Sequence, residues 1–265
     1  MNARFVLVIS AVAIASCIAL WRFGVVAHDD QKVSLDPSVH PSVDVDYSRF
    51  NFGIEDSWYV EDFSQEVAQF ETVFWEPADT ASLRKLIRTT DLVKNKTVLE
   101  IGTGTGLISL CCLQAGARRV VATDINPAAI ANAQYNAKKL AVTDRLDTRL
   151  VPIIEGGAYS VIKSDETFDL IVSNPPWEDQ TPESIEEFAF YDEGFSLVDS
   201  LLKNLRQHLR KGGKALLAYG NVEAIRTIEE LVSEYELGME ILDDRNVNDL
   251  PENFLPGMLL EITLR

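Results

Sequence analysis

Three short stretches hold residues whose types and spacing could do chemistry. In Val98–Ser109 an apolar run ends in Glu100-Ile101, and glycines follow at 102, 104 and 106 before a second apolar segment. Glycine lets the backbone take positive φ and approach a ligand closely, and a helix starting behind such a loop presents free N–H groups. The spacing is G-x-G-x-G rather than the G-x-G-x-x-G of a dinucleotide site. Glu100 at the strand end would repel a pyrophosphate but attract a cationic, amine-bearing ligand. In the second stretch, Ala122-Thr123-Asp124-Ile125-Asn126-Pro127, an acid again closes an apolar run. The third runs from Asp169 to Trp177 and ends Ser173-Asn174-Pro175-Pro176-Trp177. The Asn174 side-chain oxygen and the Pro175 carbonyl are acceptors that could fix a planar N–H2 group. Two prolines stiffen the loop and give up N–H donors, and Trp177 offers a flat wall.

These stretches need elements to position them. The pattern predicts strands at Thr97–Ile101, Arg119–Thr123, Asp147–Pro152, Phe168–Ser173, Lys214–Tyr219, Met239–Leu242 and Met258–Leu264. Helices are expected at Ala81–Arg88, Gly106–Gln114, Ala128–Leu140 and from Asn221 to about Tyr235, with Asn126 as N-cap and Pro127 at the first helical position of the third. A long helical region is expected after Ser173, interrupted near Tyr191–Gly194. Its second half, Phe195–Leu209, runs into a basic cluster and Gly212-Gly213, features that suit a helix C-terminus. Strands alternating with helices imply an α/β fold with a doubly wound, mainly parallel sheet. In such sheets ligands sit at the carboxyl ends of the strands, where Glu100, Asp124 and Asn174 all fall.

Together and in this order, the three stretches resemble motifs of the class I S-adenosylmethionine-dependent methyltransferases of the Asn-Pro-Pro type, HemK-like or small-methyltransferase-domain. Val73-Phe74-Trp75-Glu76-Pro77-Ala78-Asp79-Thr80 is similar to the E-P-A-x-D-T sequence ahead of the glycine loop in HemK-like protein glutamine methyltransferases; Asp79 or Thr80 could also cap the following helix. The resemblance runs from Phe74 to Arg265. It implies a Rossmann-like sheet with one antiparallel strand and S-adenosyl-L-methionine as cofactor. The implied cofactor-binding residues are Glu100, Gly102, Thr103, Gly104, Gly106, Asp124, Ile125 and Asn174. Asp124 would bind the ribose, with Ile125 beside the adenine. Asn174, Pro175 and Trp177 would orient the methyl acceptor. Family members often carry an acid after the third strand; here Glu155 is available.

Composition narrows the acceptor. The formal charge is −17 over 265 residues, a field that repels nucleic acid, so a protein or small-molecule acceptor is expected. His28, His40 and His208 are scattered and the three cysteines form no ligand pattern, so no metal site is expected. Cys111 and Cys112 read as core residues. No Ser/His/Asp or Cys/His arrangement suggests a nucleophilic site.

The N-terminal region has a different composition. No charged residue occurs from Phe5 to Trp21, and only Arg22 interrupts the run to Ala27. The readings are a membrane anchor, a signal peptide cut after Val25-Val26-Ala27, or a lipoprotein signal at Cys17. The anchor is preferred because a cleaved signal would not usually carry Trp21-Arg22 close to its cut site, and a lipoprotein signal would leave the apolar run Ile18–Trp21 after the lipidated cysteine. The expected organisation is therefore 1–27 anchor or signal, 28–46 linker, 47–90 N-terminal cap and 91–265 catalytic domain. The fold class then includes an N-terminal transmembrane segment, and residues 5–26 tether to a membrane an enzyme whose domain faces the cytosol. Aromatic residues between Tyr47 and Phe74 interleave with acids, as in a packed cap or a substrate-recognition surface.

The expected activity is methyl transfer to a nitrogen of a protein side chain, a glutamine-like amide. The alternatives are an exocyclic base amine in RNA or DNA, and a non-catalytic binding protein on the same fold.

Overall fold

The computed structural model describes residues 52–154 and 156–265. Among them the elements are β1 (Ile54–Val60), β2 (Gln65–Phe70), α1 (Ala81–Thr89), β3 (Thr97–Ile101), α2 (Leu107–Gln114), β4 (Arg119–Asp124), α3 (Pro127–Lys139), β5 (Leu146–Leu150) and β6 (Phe168–Ser173). The chain continues with α4 (Ser196–Lys203), α5 (Leu205–His208), β7 (Leu209–Asn221), α6 (Val222–Glu234), β8 (Leu237–Ile241) and β9 (Asn253–Leu264).

Seven strands form one sheet in the order β5-β4-β3-β6-β7-β9-β8. β3, β4, β5, β6 and β7 pair in parallel, and β9 runs antiparallel between β7 and β8. The Rossmann-like, mainly parallel sheet with one antiparallel strand is as expected. The central strands are apolar on both faces because helices cover both. Val98, Val120 and Leu170 pack with Leu83, Ile87 and Leu110 on one side. Their neighbours Leu99, Val121 and Ile171 pack with Val198, Leu201 and Ile225 on the other. The period of two along each strand thus divides one sheet between two core layers.

The chain builds β3, β4 and β5 outward, then returns past β3 to lay down β6. This reversal is the topological switch point at which open α/β sheets bind ligands. Glu100 pairs with Val172 and Ile101 with Ser173. The Ser173 hydroxyl donates to the Ile101 carbonyl at 2.6 Å, tying the two strand ends together.

β1 and β2 form an antiparallel hairpin over the stretch expected to be a cap. Its docking rests on two asparagines one turn apart on α3, positions that share a helix face. Asn136 Oδ1 accepts from the Ala68 N–H at 2.9 Å and Asn132 Oδ1 from the Phe70 N–H at 2.9 Å. Both side-chain amides donate back to the Ala68 carbonyl. Asn126 caps α3 by accepting from the Ala128 N–H, and its amide holds the Thr72 carbonyl. These bonds fix the path of residues 72–80 towards the strand ends.

Three expectations are corrected. Among the described residues no helix is long and apolar enough to cross a membrane. Residues 1–27 lie outside the described residues, so the transmembrane segment is withdrawn from the fold class, and the membrane tether and cytosol-facing membrane localisation with it. Residues 174–195 are loop with short 3-10 turns at Glu187–Ala189 and Glu193–Phe195, not a long helix. The basic cluster with Gly212-Gly213 does not end a helix. It forms a bulge within β7, where Phe168 pairs with Leu209 but Leu170 with Lys214, and Gly212 supplies the positive φ of 79° that the detour needs.

Candidate active site

A cavity of about 460 Å³ lies at the carboxyl ends of β3, β4 and β6. Its floor is the loop from Gly102 to Thr105, and its walls come from residues 72–80, the end of β4, the segment after β5, the loop 174–195 and the first turn of α4. Glu100, Gly102, Thr103, Gly104, Asp124, Ile125, Asn174 and Pro175 all line it.

The loop is built from β4 outward. The N–H groups of Gly102 and Thr103 donate to the Thr123 carbonyl at 2.9 and 3.0 Å. Gly102, Gly104 and Gly106 have φ of 76°, 52° and 86°, the left-handed region. They serve different ends. A Cβ on Gly102 would meet nothing within 4 Å, so the space over that residue is open cavity. A Cβ on Gly106 would lie 3.0 Å from the Ala133 Cα, so that glycine lets α2 and α3 touch. Gly106 does not line the cavity and acts on it through this packing.

The two expected carboxylates brace the loop. Glu100 is buried, and its Oε2 accepts from the Thr103 hydroxyl at 2.7 Å, the Ser109 N–H at 3.1 Å and the Ser109 hydroxyl. Burial pushes its carboxyl up to about 7, against the pull of these donors. Asp124 accepts the Gly104 N–H on Oδ2 at 2.8 Å and the Asn126 N–H on Oδ1 at 2.9 Å. Burial raises its pKa, and the backbone N–H groups oppose that rise.

Asn174 is the singular residue of the site. Its Oδ1 is buried without a hydrogen-bond partner. Its amide N–H2 points to Asp79 Oδ2 at 3.5 Å, the long end of hydrogen-bond range. Among the described residues only the Tyr219 hydroxyl, in the core, is likewise buried and unpartnered. Asp79 is itself buried, and burial lifts its carboxyl to about 7. The sequence suggests Asp79 or Thr80 as a helix cap, but neither side chain caps α1.

Trp177 departs from expectation. It does not line the cavity. Its indole N–H donates to the Ala218 carbonyl at 3.2 Å. Its ring fills the space left by Gly220, where a Cβ would come within 2.4 Å of Cζ3. The missing side chain at 220 draws the ring into the core, so Trp177 is a packing residue. Phe74, Trp75, Phe188 and Tyr191 supply the aromatic wall instead. Glu155 lies outside the described residues, and Val151, Ile153 and Gly156 line its side of the cavity. No group of His, Cys, Asp and Glu among the described residues could hold a metal ion.

The methyltransferase small-domain family model matches residues 66–240, which hold the parallel strands β3 to β7 and the whole cavity loop system and stop short of β9. The chain belongs to this family. It is an S-adenosylmethionine-dependent methyltransferase. The methyltransferase is 33% identical over 177 residues to a candidate protein N5-glutamine methyltransferase of Methanocaldococcus jannaschii, covering 63% of this chain and 84% of that one. It is 31% identical over 173 residues to a release factor glutamine methyltransferase of Shewanella oneidensis, covering 61% of this chain but 57% of that longer protein. In fold it is similar to a 16S rRNA N2 G1207 methyltransferase of T. thermophilus solved with AdoMet and guanosine. That match has 18% identity and a TM-score of 0.53, and covers 80% of this chain and 51% of that one.

The residues fit the cofactor. Open space over Gly102 and two carboxylates at adjacent strand ends make a cradle for a cationic, hydroxyl-bearing ligand.

Proposed function

We propose that this methyltransferase modifies the side-chain amide nitrogen of a glutamine in a protein. The observation that carries the reading is the buried, unpartnered Oδ1 of Asn174. A buried acceptor without a donor costs roughly 1–3 kcal/mol, a cost that a substrate N–H would remove on binding.

When bound, S-adenosylmethionine supplies an electrophilic methyl group on a sulfonium. Asp124 would accept from the ribose hydroxyls with the lone pairs that its backbone donors leave free, and Ile125 would pack beside the adenine. Gly102, Thr103 and Gly104 leave room for the methionine portion, with Glu100 fixing the loop and favouring positive charge. Asn174 Oδ1 and the Pro175 carbonyl would accept hydrogen bonds from the two N–H groups of the acceptor amide, which sheds one of those protons to solvent once its nitrogen has gained the methyl group and the methyl–sulfur bond has broken. An amide lone pair is delocalised, and holding both N–H groups aims the nitrogen at the methyl carbon while favouring its pyramidalisation. Phe74 and Tyr191 lie where they can exclude water from the reacting atoms. The relatives named for glutamine methylation support this acceptor.

The test is methyl transfer from labelled S-adenosylmethionine to glutamine-bearing polypeptides, with mass spectrometry to locate the methyl group. Modification at the glutamine side-chain nitrogen is expected; modification only at other side chains or at nucleobases would contradict the reading.

A further inference from the structure

We infer that the acceptor glutamine enters on a cationic segment of polypeptide, flanked by lysine or arginine. The inference rests on the protein-acceptor reading above and narrows it.

Among the described residues, the cavity is lined by six carboxylates and by no lysine, arginine or histidine. Glu100, Asp124 and Asp192 are engaged with backbone and hydroxyl donors of the fold. Glu76 accepts the Ala78 N–H on Oε1 at 2.9 Å and keeps its other oxygen open, and with Glu186 and Glu193 it sets the potential at the rim. The walls continue the pattern. Residues 50–83 contain eight Asp or Glu and no Lys or Arg, and residues 174–202 again contain eight and none. Of these sixteen, only Asp62 and Glu66 make an ion pair among the described residues, Asp62 with Arg84 and Arg88 and Glu66 with Lys139. Arg149, at the carboxyl end of β5, is held by Asp147 and Glu166, and a group of further cations stands at the other end of the sheet. Lys94, Lys96, Arg118 and Arg119 precede or begin β3 and β4, and Arg210 lies at the start of β7.

Acidic surface alone is ordinary in a chain of this charge. Here it surrounds a cavity whose buried Asn174 Oδ1 marks where an N–H donor belongs. A cleft walled by one sign of charge focuses the field and gathers counter-charged ligands. An aromatic feature points the same way. Trp58 stacks on Trp75 with centroids 6.0 Å apart and planes 10° from parallel. Trp75 lines the cavity and Trp58 is 40% exposed, so an indole at the surface continues the wall outward. Cations favour such faces. A polynucleotide meets repulsion at the same rim.

The full chain is assayed with labelled S-adenosylmethionine on three peptides of equal length, each with one glutamine flanked by Lys/Arg, by Ser or by Glu. The basic peptide should exceed the neutral one in kcat/KM by roughly tenfold, the acidic one should be poorest, and the spread should shrink as salt screens exposed charge. A Glu186→Lys/Glu193→Lys double variant, checked for unchanged S-adenosylmethionine affinity, should flatten or invert the order. Equal rates on all three peptides, or an order unmoved by salt and by the double variant, would overturn the charge inference and leave the glutamine reading standing. Methylation of a structured RNA with none of the peptides modified would overturn both.

Discussion

Asp79 and Asn174 stand 95 residues apart in the chain and meet at one point, the Asn174 amide N–H2 directed to Asp79 Oδ2 at 3.5 Å. The contact decides which way the amide faces. An ionised carboxylate beside Asn174 tolerates its N–H2 and repels its oxygen, so Oδ1 is turned away and left open.

Asp79→Ala should therefore cost on the order of 10²-fold in kcat, the scale of a misplaced reacting group, with S-adenosylmethionine affinity unchanged. A pH profile separates positioning from mere packing. With the Asp79 carboxyl near 7, wild-type kcat/KM should rise as pH passes through about 7 and the ionised form takes over. Asp79→Asn should lose that limb. A wild-type profile flat across this range would contradict the assignment.

Gly102 and Gly106 share a loop and a positive φ but not a consequence. Gly102→Ala should cost only about 1 kcal/mol of stability for the strained backbone while its methyl group enters the cavity and abolishes cofactor binding. Gly106→Ala adds a clash with the Ala133 Cα and should destabilise by roughly 1–3 kcal/mol more. Thermal melts and calorimetric titration of the two variants should move in opposite proportion.

Trp177 is expected to behave as a core residue. Trp177→Ala should lower stability by roughly 3 kcal/mol through the void beside Gly220, and Trp177→Phe should retain most activity while losing the bond to the Ala218 carbonyl and part of the packing beside Gly220. A large loss of kcat in a stable Trp177→Phe would return the indole to the acceptor site.

The sequence was readable wherever function lies within a local pattern. Glu100, Asp124 and Asn174 each close an apolar run, and the alternation of strands and helices put all three at one end of the sheet. What it hid depends on partners distant in the chain. Asp79 read as a cap because nothing local indicates Asn174. Trp177 read as a site residue because it follows Asn-Pro-Pro, whereas its place is set by the missing Cβ at Gly220. Asn132 and Asn136 carry no local sign of a distant partner, yet they dock the hairpin that leads into Phe74, Trp75 and Asp79. Local charge at 210–213 suggested a helix end, and only the pairing of β6 with β7 reveals a bulge.

Stability should carry the mark of the two carboxyls raised to about 7, Asp79 and Glu100. Between the ordinary carboxylate range and about 7 the folded protein holds protons that the unfolded chain has released, so stability falls as pH rises. Thermal melts should give a lower Tm at about pH 8 than at about pH 5, and Glu100→Gln should reduce the difference. A Tm that rises over this interval would contradict the burial of these groups.

In the proposed reaction Asn174 Oδ1 receives the N–H of the acceptor nitrogen while the glycine loop and Asp124 hold the cofactor. Calorimetric titration of Asn174→Ala with S-adenosylmethionine, set beside methyl transfer by the same preparation, tests it most directly. Cofactor affinity should stay close to wild type while transfer falls on the order of 10²–10³-fold. Transfer at the wild-type rate would contradict it.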